Sequence, residues 1–521
     1  MAVLGTVLKG SIKVTSTLQN QRKIKPAKWQ KKTLTKLIEK ARYTQLGEKF
    51  RFNDILNDCV FEEGDKFYQT FKQNVPIYDY NSIYREWWHK ARQGEKDVAW
   101  PGKIKHFALS SGTSESSSKA IPVTKNMIKA IQTTSINQII SLGNYSGIPA
   151  DIFEKGYLML GGSTLLNEVD SHYEGDLSGI TQGTLPFWFQ GFYKPGVKIA
   201  QERNWANKLE EITQNAPQWD IGFIAGVPAW IQILMEKIID RYQVNHIHDI
   251  WPNLTAFAWG GVSFEPYKKG FEKLLGKPIH YIETYLASEG FLAYQPGPET
   301  DLQLVLSNGI FFEFVPFTTE NFDSDGNILP HAKTLMISEV TTGVDYAILI
   351  STCSGAWRYL IGDTIRFTDV AQALIKITGR TKHFLSLCGE HLSVDNMNKA
   401  IDSASRHFGV TFSEFTVVGI KHPPLFAHQW YIGCDDPIDE IELGAFIDQT
   451  LKELNDDYAV EREHALKNIF CRVLPVHAFY DWMKIRGKEG GQNKFPRVLK
   501  GNLQDDWESF LRVNHPQQII P

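Results

Sequence analysis

Residues 255–289 constrain the fold more than any other stretch of this 521-residue chain. Thr255 to Trp259 is an apolar, aromatic run long enough for one buried strand, and Gly260-Gly261 breaks it. Phe264 to Leu275 has the spacing of an amphipathic helix, and Gly276 stops it. Ile279 to Ile282 predicts a second strand, followed at once by a loop from Glu283 to Glu289. A strand, a helix and a strand in that order within one sheet give parallel strands. Gly260-Gly261 and the Tyr285–Glu289 loop then share the carboxyl edge of that sheet, where open α/β sheets bind ligands. The predicted class is therefore α/β.

The rest of the chain builds around this unit. Leu34, Leu37, Ile38 and Ala41 mark one face of a helix whose other face carries Lys28, Lys31, Lys32 and Lys36, a solvated basic surface. Trp87 and Trp88 are packing anchors. Thr124 is placed to cap a helix bearing Met127, Ile128, Ile131 and Ile139. Gly222 to Pro228 introduces another helix, with Ile231, Leu234, Met235 and Ile238 on its apolar face. Residues 302–350 alternate apolar and polar positions between turn signals and predict antiparallel strands of a barrel-like β subdomain. After Gly379-Arg380 the pattern changes to short strands and helices of a small, mobile α+β domain. The expected division is a large N-terminal domain of mixed and parallel sheets with helices, 1–378, and a C-terminal domain, 379–521.

Four stretches carry candidate chemistry. Between the apolar runs IKHFAL and AIPV, the hydroxyls of Ser110, Ser111, Thr113, Ser114, Ser116, Ser117 and Ser118 crowd around Gly112, and Lys119 closes the run. Backbone N–H groups, hydroxyls and one cation suit a polyphosphate. No second glycine followed by Lys and Ser/Thr is present, so this is not a Walker loop. Alone, it has the composition of an ordinary Ser-rich turn. At the sheet edge, Gly260 and Gly261 let a flat ring approach the backbone. Tyr285 offers a face for a base, and Glu289 is a hard oxygen ligand for magnesium shared with phosphates. Asp363, in a Gly362-Asp363 turn, has the carboxylate needed to accept from both hydroxyls of a ribose. The glycine-rich basic loop from Arg486 to Arg497 contains Lys494, a cation that a mobile domain can deliver.

Composition narrows the classes. A net charge of −4 gives no reason to expect a nucleic-acid partner. Cys59, Cys353, Cys388, Cys434 and Cys471 are scattered without metal-ligand spacing, so reduced thiols are expected rather than disulfides or zinc. The opening MAVLGTVL lacks the basic and small-residue flanks of a signal peptide, and no run approaches the ~18 apolar residues of a membrane span. The expectation is a cytoplasmic protein with no membrane partner.

As an ordered set, the motifs resemble those of acyl-adenylate-forming enzymes. SSGTS at 110–114, YLASE at 285–289 and YLIGD at 359–363 are similar to the three nucleotide motifs of the Gretchen Hagen family of acyl acid amido synthetases. That family holds the auxin-responsive plant enzymes and their bacterial relatives. VAWPGKIKHFALSSGTS and GQNKFPR also resemble it, over about residues 28–500. Ser116 stands where the family often has glycine.

The resemblance implies ATP and magnesium as cofactors, and a small carboxylic acid and an amino acid as substrates. It implies that Ser110, Ser111, Gly112, Thr113 and Ser114 hold phosphates. Tyr285 would pack on adenine, Gly260, Gly261, Ser288 and Arg380 would border the nucleotide, Glu289 would hold Mg2+, and Asp363 would bind ribose. Gly379-Arg380 would be the hinge, and Lys494 would stabilise the adenylation transition state, with Lys119 as the other candidate cation. The implied activity is an ATP-dependent carboxylate–amine ligase. Two other readings share these residues: an acyl-CoA ligase with the same first half-reaction, and a non-catalytic nucleotide sensor.

Overall fold

The computed structural model describes residues 25–61, 66–110, 119–185, 189–261, 264–323, 326–381, 384–385, 387–388, 390, 392–412, 414–486 and 495–515. These fall into two compact units, one of residues within 1–110, 119–226 and 234–382, the other of residues within 227–233 and 383–521. No described helix is long and apolar enough to cross a membrane.

In chain order the strands of the larger unit begin with β1 (His106–Ser110), β2 (Lys119–Val123), β3 (Gly156–Met159), β4 (Asn167–Val169), β5 (His172–Gly175), β6 (Tyr193–Lys194) and β7 (Ile221–Ala225). They continue with β8 (Ala256–Gly260), β9 (His280–Ala287), β10 (Gly290–Tyr294), β11 (Leu302–Leu304), β12 (Ile310–Pro316), β13 (Asp345–Thr352), β14 (Tyr359–Asp369) and β15 (Leu374–Arg380). An eleven-stranded sheet has the order β12-β13-β14-β15-β11-β10-β9-β8-β7-β3-β6. Its β6, β3, β7, β8 and β9 are parallel, and the rest is antiparallel. A smaller sheet runs β2-β1-β5-β4.

The expected strand–helix–strand unit forms. β8 and β9 pair in parallel from Ala256↔His280 to Gly260↔Thr284, joined by the helix Glu265–Leu274. Phe271 of that helix stacks on Phe257 of β8, ring centroids 4.8 Å apart. The Thr124 side chain caps the helix Lys125–Ser141 by accepting from Met127 N. Leu34, Leu37, Ile38 and Ala41 are buried on the helix Pro26–Ala41, and Lys28, Lys31, Lys32 and Lys36 face solvent.

Two local expectations are corrected. β9 runs on to Ala287, so Tyr285 lies within a strand and only Ser288-Glu289 turn the chain into β10. The apolar run Phe291–Ala293 offers an antiparallel partner that extends β9 past its parallel neighbour. Gly362-Asp363 is not a hairpin turn but part of β14. Pairing jumps from Ala347↔Thr364 to Leu349↔Leu360, and Gly362 has φ +94°, the signature of a bulge that bends a strand without reversing it.

Behind the sheet, β14 is anchored by a buried ion pair. Arg358 and Glu313 are 4% and 1% exposed. The Arg358 guanidinium donates to Glu313 at 3.0–3.1 Å, to the Lys72 and Val75 carbonyls at 2.9 and 2.8 Å, and to Thr334 Oγ1 at 3.1 Å. The Tyr68 hydroxyl donates to Glu313 Oε1 at 2.9 Å. Trp88 is fully buried nearby, its indole N–H on the Gly355 carbonyl at 3.1 Å.

In the smaller unit β16 (Phe384–Leu385) pairs with β17 (Leu392–Ser393), and β18 (Glu414–His422), β19 (Leu425–Gly433), β20 (Leu466–Leu474) and β21 (Val498–Leu499) form a sheet of order β20-β19-β18-β21. The helix Glu440–Leu454 lies within the crossover that makes β19 and β20 parallel. Trp507 packs against Phe479, Trp482 and Phe495 at centroid distances of 5.3, 5.5 and 5.1 Å. Cys353, Cys388, Cys434 and Cys471 are free thiols, all buried.

Removing one partner of a buried pair leaves the other charge uncompensated, which costs about 3–5 kcal/mol. Arg358→Met should lower the stability of the larger unit by that order in urea denaturation. Adding Glu313→Leu should recover part of the loss, because the stranded carboxylate is then gone. Full stability in Arg358→Met would remove the anchor role.

Candidate nucleotide site

The carboxyl ends of β3, β7, β8 and β9 share one edge of the sheet, at Met159, Ala225, Gly260 and Ala287. Glycine is required at 260 by space, since a Cβ would lie 2.6 Å from both the Thr284 carbonyl and hydroxyl oxygens. It is required at 261 by conformation, φ +83°, with open space around the missing Cβ.

At the bulge of β14, Asp363 is gripped from two directions. The Tyr285 hydroxyl donates to its Oδ2 at 2.5 Å. Arg380, its cross-strand partner on β15, places Nε 2.9 Å from Oδ1 and also donates to the Ile361 carbonyl at 3.3 Å. The Asp363 side chain keeps 14% exposure and Arg380 26%. The Tyr285 ring is buried at 6% exposure, and burial, then the Asp363 charge, hold its phenol protonated well above the usual range.

Glu289 is 8% exposed at the turn between β9 and β10. Burial raises its carboxyl above the usual carboxylate range, and the Asp363 charge adds to the rise. The Lys119 and Arg380 charges oppose it without cancelling it. The fully buried Tyr359 hydroxyl faces Glu289, and burial followed by the Glu289 charge pushes its pKa up. This edge therefore holds a buried carboxylate short of positive charge, beside a buried phenol hydroxyl. Such a donor set fits magnesium, which takes one or two protein carboxylates and fills its remaining positions with water and phosphate oxygens. No group of three or more His, Cys, Asp or Glu suited to a metal occurs among the described residues.

The two residues that flank the serine-rich stretch are described. Ser110 ends β1 and Lys119 begins β2, and the two are register partners of an antiparallel pair. The Lys119 ammonium lies 5.4 Å from the ring centroid of Tyr80, whose hydroxyl accepts from Ala120 N at 2.8 Å. Its charge also acts on Glu289. Gly260, Gly261, Tyr285, Ser288, Glu289, Asp363 and Arg380 are all described. Ser111, Gly112, Thr113, Ser114 and Lys494 lie outside the described residues.

Sequence reasoning missed three groups. Tyr359 opens the YLIGD motif, yet only the carboxylate of that motif was given a chemical role. Tyr80 carries no local signal. Lys208 is buried at 2% exposure with its ammonium 3.2 Å from the Gly161 carbonyl. Burial lowers its pKa to about 8 against the pull of Asp176 and Glu202. The glycines at 161 and 162 were visible in the sequence, but not the lysine that reaches them.

Because the Glu289 carboxyl is raised in the folded chain, its ionisation opposes folding, and the cost grows as pH climbs from the ordinary carboxylate pKa through the raised one. Glu289→Gln should raise the ligand-free melting temperature at pH 7–8 by about 2–4 °C. The gain should vanish below about pH 4, where both states are protonated. A pH-independent difference would contradict the burial of an unneutralised charge.

Three family models match the chain: the GH3 family N-terminal domain over residues 18–164, the central domain over 303–380 and the C-terminal domain over 395–502. Among curated proteins, the chain is 29% identical over 252 residues to an Arabidopsis thaliana indole-3-acetic acid-amido synthetase, GH3.2, covering 46% of this chain and 41% of that one. It is 30% identical over 278 residues to another, GH3.4, covering 49% and 45%. These matches span less than half the length of those relatives. In solved structures, the fold is similar to the GH3.15 acyl acid amido synthetase, with a TM-score of 0.58 and 16% identity over 97% of this chain and 96% of that one. It is similar also to a 2-hydroxyisobutyryl-CoA ligase, with a TM-score of 0.56 and 12% identity over 94% and 92%. At these identities the structural likeness speaks for the fold alone. With the three domain models matched in order along an α/β chain of this fold, the protein belongs to the GH3 family.

Proposed function

We propose that this chain is an ATP-dependent acyl acid amido synthetase. The observation that carries the reading is the convergence on one sheet edge of a clamped carboxylate, Asp363, and a buried, under-neutralised one, Glu289. Family membership and the names of the matched relatives support it.

In the first step, a carboxylate oxygen of the acid attacks the α-phosphorus of ATP and the bond to the β-phosphate oxygen breaks. Acyl-AMP and pyrophosphate result. In the second, an amino acid nitrogen attacks the acyl carbon, loses a proton and expels AMP, leaving an amide. The first barrier is largely repulsion between two anions, so positioning and positive charge are what the protein contributes. Asp363 accepts from the ribose hydroxyls. Gly260-Gly261 and Ser288 border the adenine, with Tyr285 at its side. Ser110, Ser111, Gly112, Thr113 and Ser114 surround the phosphates with hydroxyls and N–H groups. Arg380 offsets charge at Asp363 and stands at the end of β15, where a rotating C-terminal domain of about residues 379–521 would begin. Glu289 would hold a magnesium ion, which when bound would supply positive charge against the repulsion between these anions. Lys494 is assigned to the α-phosphate.

Pyrophosphate release should be followed with ATP, magnesium and a panel of aromatic and aliphatic acids, with and without mixed amino acids, and products identified by mass spectrometry. Acid-dependent pyrophosphate together with an amide is the expected result. A thioester formed only on adding coenzyme A would move the chain to the ligase class, and ATP binding without turnover for any acid would count against catalysis. Lys494→Ala should slow pyrophosphate formation about 100-fold or more, the scale of a lost transition-state donor, with ATP affinity nearly unchanged. Wild-type rates in that variant would transfer the role to Lys119.

A further inference from the structure

We propose that Tyr285 is a positioning residue: its hydroxyl fixes the Asp363 carboxylate so that one free acceptor site on each oxygen faces a vicinal diol. The inference rests on the reading of this edge as a nucleotide site and assigns within it a role that the ring of Tyr285 does not explain.

An ionised carboxylate offers about four acceptor sites, two on each oxygen. Tyr285 fills one on Oδ2, at 2.5 Å, and Arg380 one on Oδ1, at 2.9 Å. One site remains on each oxygen, and the side chain keeps 14% exposure, so these two can be reached from outside. Hydroxyls on adjacent carbons match two acceptors on one carboxylate. A carboxylate held at one oxygen only turns readily about its terminal torsion, which is broad for this type of bond. The ordering cost would then fall on ligand binding and weaken it.

The two anchors are unequal. Tyr285 sits inside β9, opposite Ala293 of β10, with its ring 6% exposed. The surrounding strands therefore fix where its hydroxyl can be. Arg380 is the last residue of β15 and is 26% exposed. A guanidinium at a strand end can follow the ligand, whereas a phenol locked in a strand cannot. Tyr285 thus sets the orientation, and Arg380 supplies compensating charge. The hydroxyl acts through Asp363 and does not itself touch the diol, so it is separable from any packing of the ring on the base.

The test is equilibrium binding of ATP, 2′-deoxy-ATP and 3′-deoxy-ATP to the full chain, in wild type, Tyr285→Phe and Asp363→Asn, without acid or amine. Phenylalanine keeps the ring and removes only the hydroxyl. Wild type should bind each deoxynucleotide about tenfold or more weaker than ATP, the scale of one hydrogen bond to a charged group. Tyr285→Phe should bind ATP about tenfold weaker but the deoxynucleotides nearly as wild type does, shrinking the discrimination to about threefold or less. Equal weakening of all three nucleotides would mean that Tyr285 only packs, and would overturn the proposal. So would wild-type discrimination in Tyr285→Phe with discrimination lost in Asp363→Asn, an outcome that leaves the nucleotide reading standing. Absence of ATP binding to wild type would overturn both.

Discussion

The hydrogen bond from Tyr285 to Asp363 joins two strands that are not neighbours. Between β9 and β14 the sheet order interposes β10, β11 and β15. In a flat sheet strands spaced by four intervals lie about 19 Å apart. A 2.5 Å contact across that interval requires the antiparallel half to curl back towards the parallel half. The bulge of β14 at Gly362 contributes to that bending and turns Asp363 inward at the same point. The curl has a chemical consequence. It brings the acidic groups of two separate sequence motifs, Glu289 and Asp363, close enough for the Asp363 charge to raise the cost of ionising Glu289. On the proposed reading, the site would gather phosphates, a ribose and a cation within a few ångströms, and a curled mixed sheet supplies residues for it from distant parts of the chain.

The Arg358 network holds the other end of that arrangement. Arg358 directly precedes β14, and its guanidinium meets the Lys72 and Val75 carbonyls at the C-terminal end of the helix Lys66–Asn74. Those carbonyls lack intrahelical partners and carry the negative end of the helix dipole. The Arg358 backbone carbonyl accepts from Tyr78 N at 3.0 Å, and Leu360 N donates back to the Tyr78 carbonyl at 2.8 Å. The N-terminal helical segment is thereby tied to the start of β14, three to five residues ahead of the bulge. Apolar residues of similar volume would satisfy none of these carbonyls, which is a physical reason for a charge pair here despite its desolvation cost.

Local signals were legible and non-local ones were not. The helix Glu265–Leu274, the Thr124 cap and the apolar face of Pro26–Ala41 are set by spacing within one segment, and the sequence predicts them closely. The end of β9 and the state of Gly362-Asp363 depend on partners elsewhere. Whether Gly-Asp reverses a chain or bends a strand is decided by β13, whose residues pair on both sides of the bulge. Whether Tyr285 presents its ring or its hydroxyl is decided by an aspartate 78 positions away. The Arg358–Glu313 pair spans 45 positions and has no spacing signature. Motif chemistry singles out both carboxylates, but does not show that one is clamped and the other left short of charge.

That difference between the two carboxylates is itself informative. Asp363 has a donor on each oxygen and remains partly open, so it is stabilised as an acceptor before any ligand arrives. Glu289 is more deeply buried, and the cations that act on it do not outweigh burial and the Asp363 charge. A fold selected for stability alone would place an amide or an apolar residue at such a position. Positive charge entering beside it removes the deficit, so the same burial would strengthen binding of a cation-bearing ligand. On the proposed reading, Asp363 would recognise a neutral diol and Glu289 would be completed by a cation, and a nucleotide carrying a metal ion on its phosphates presents both.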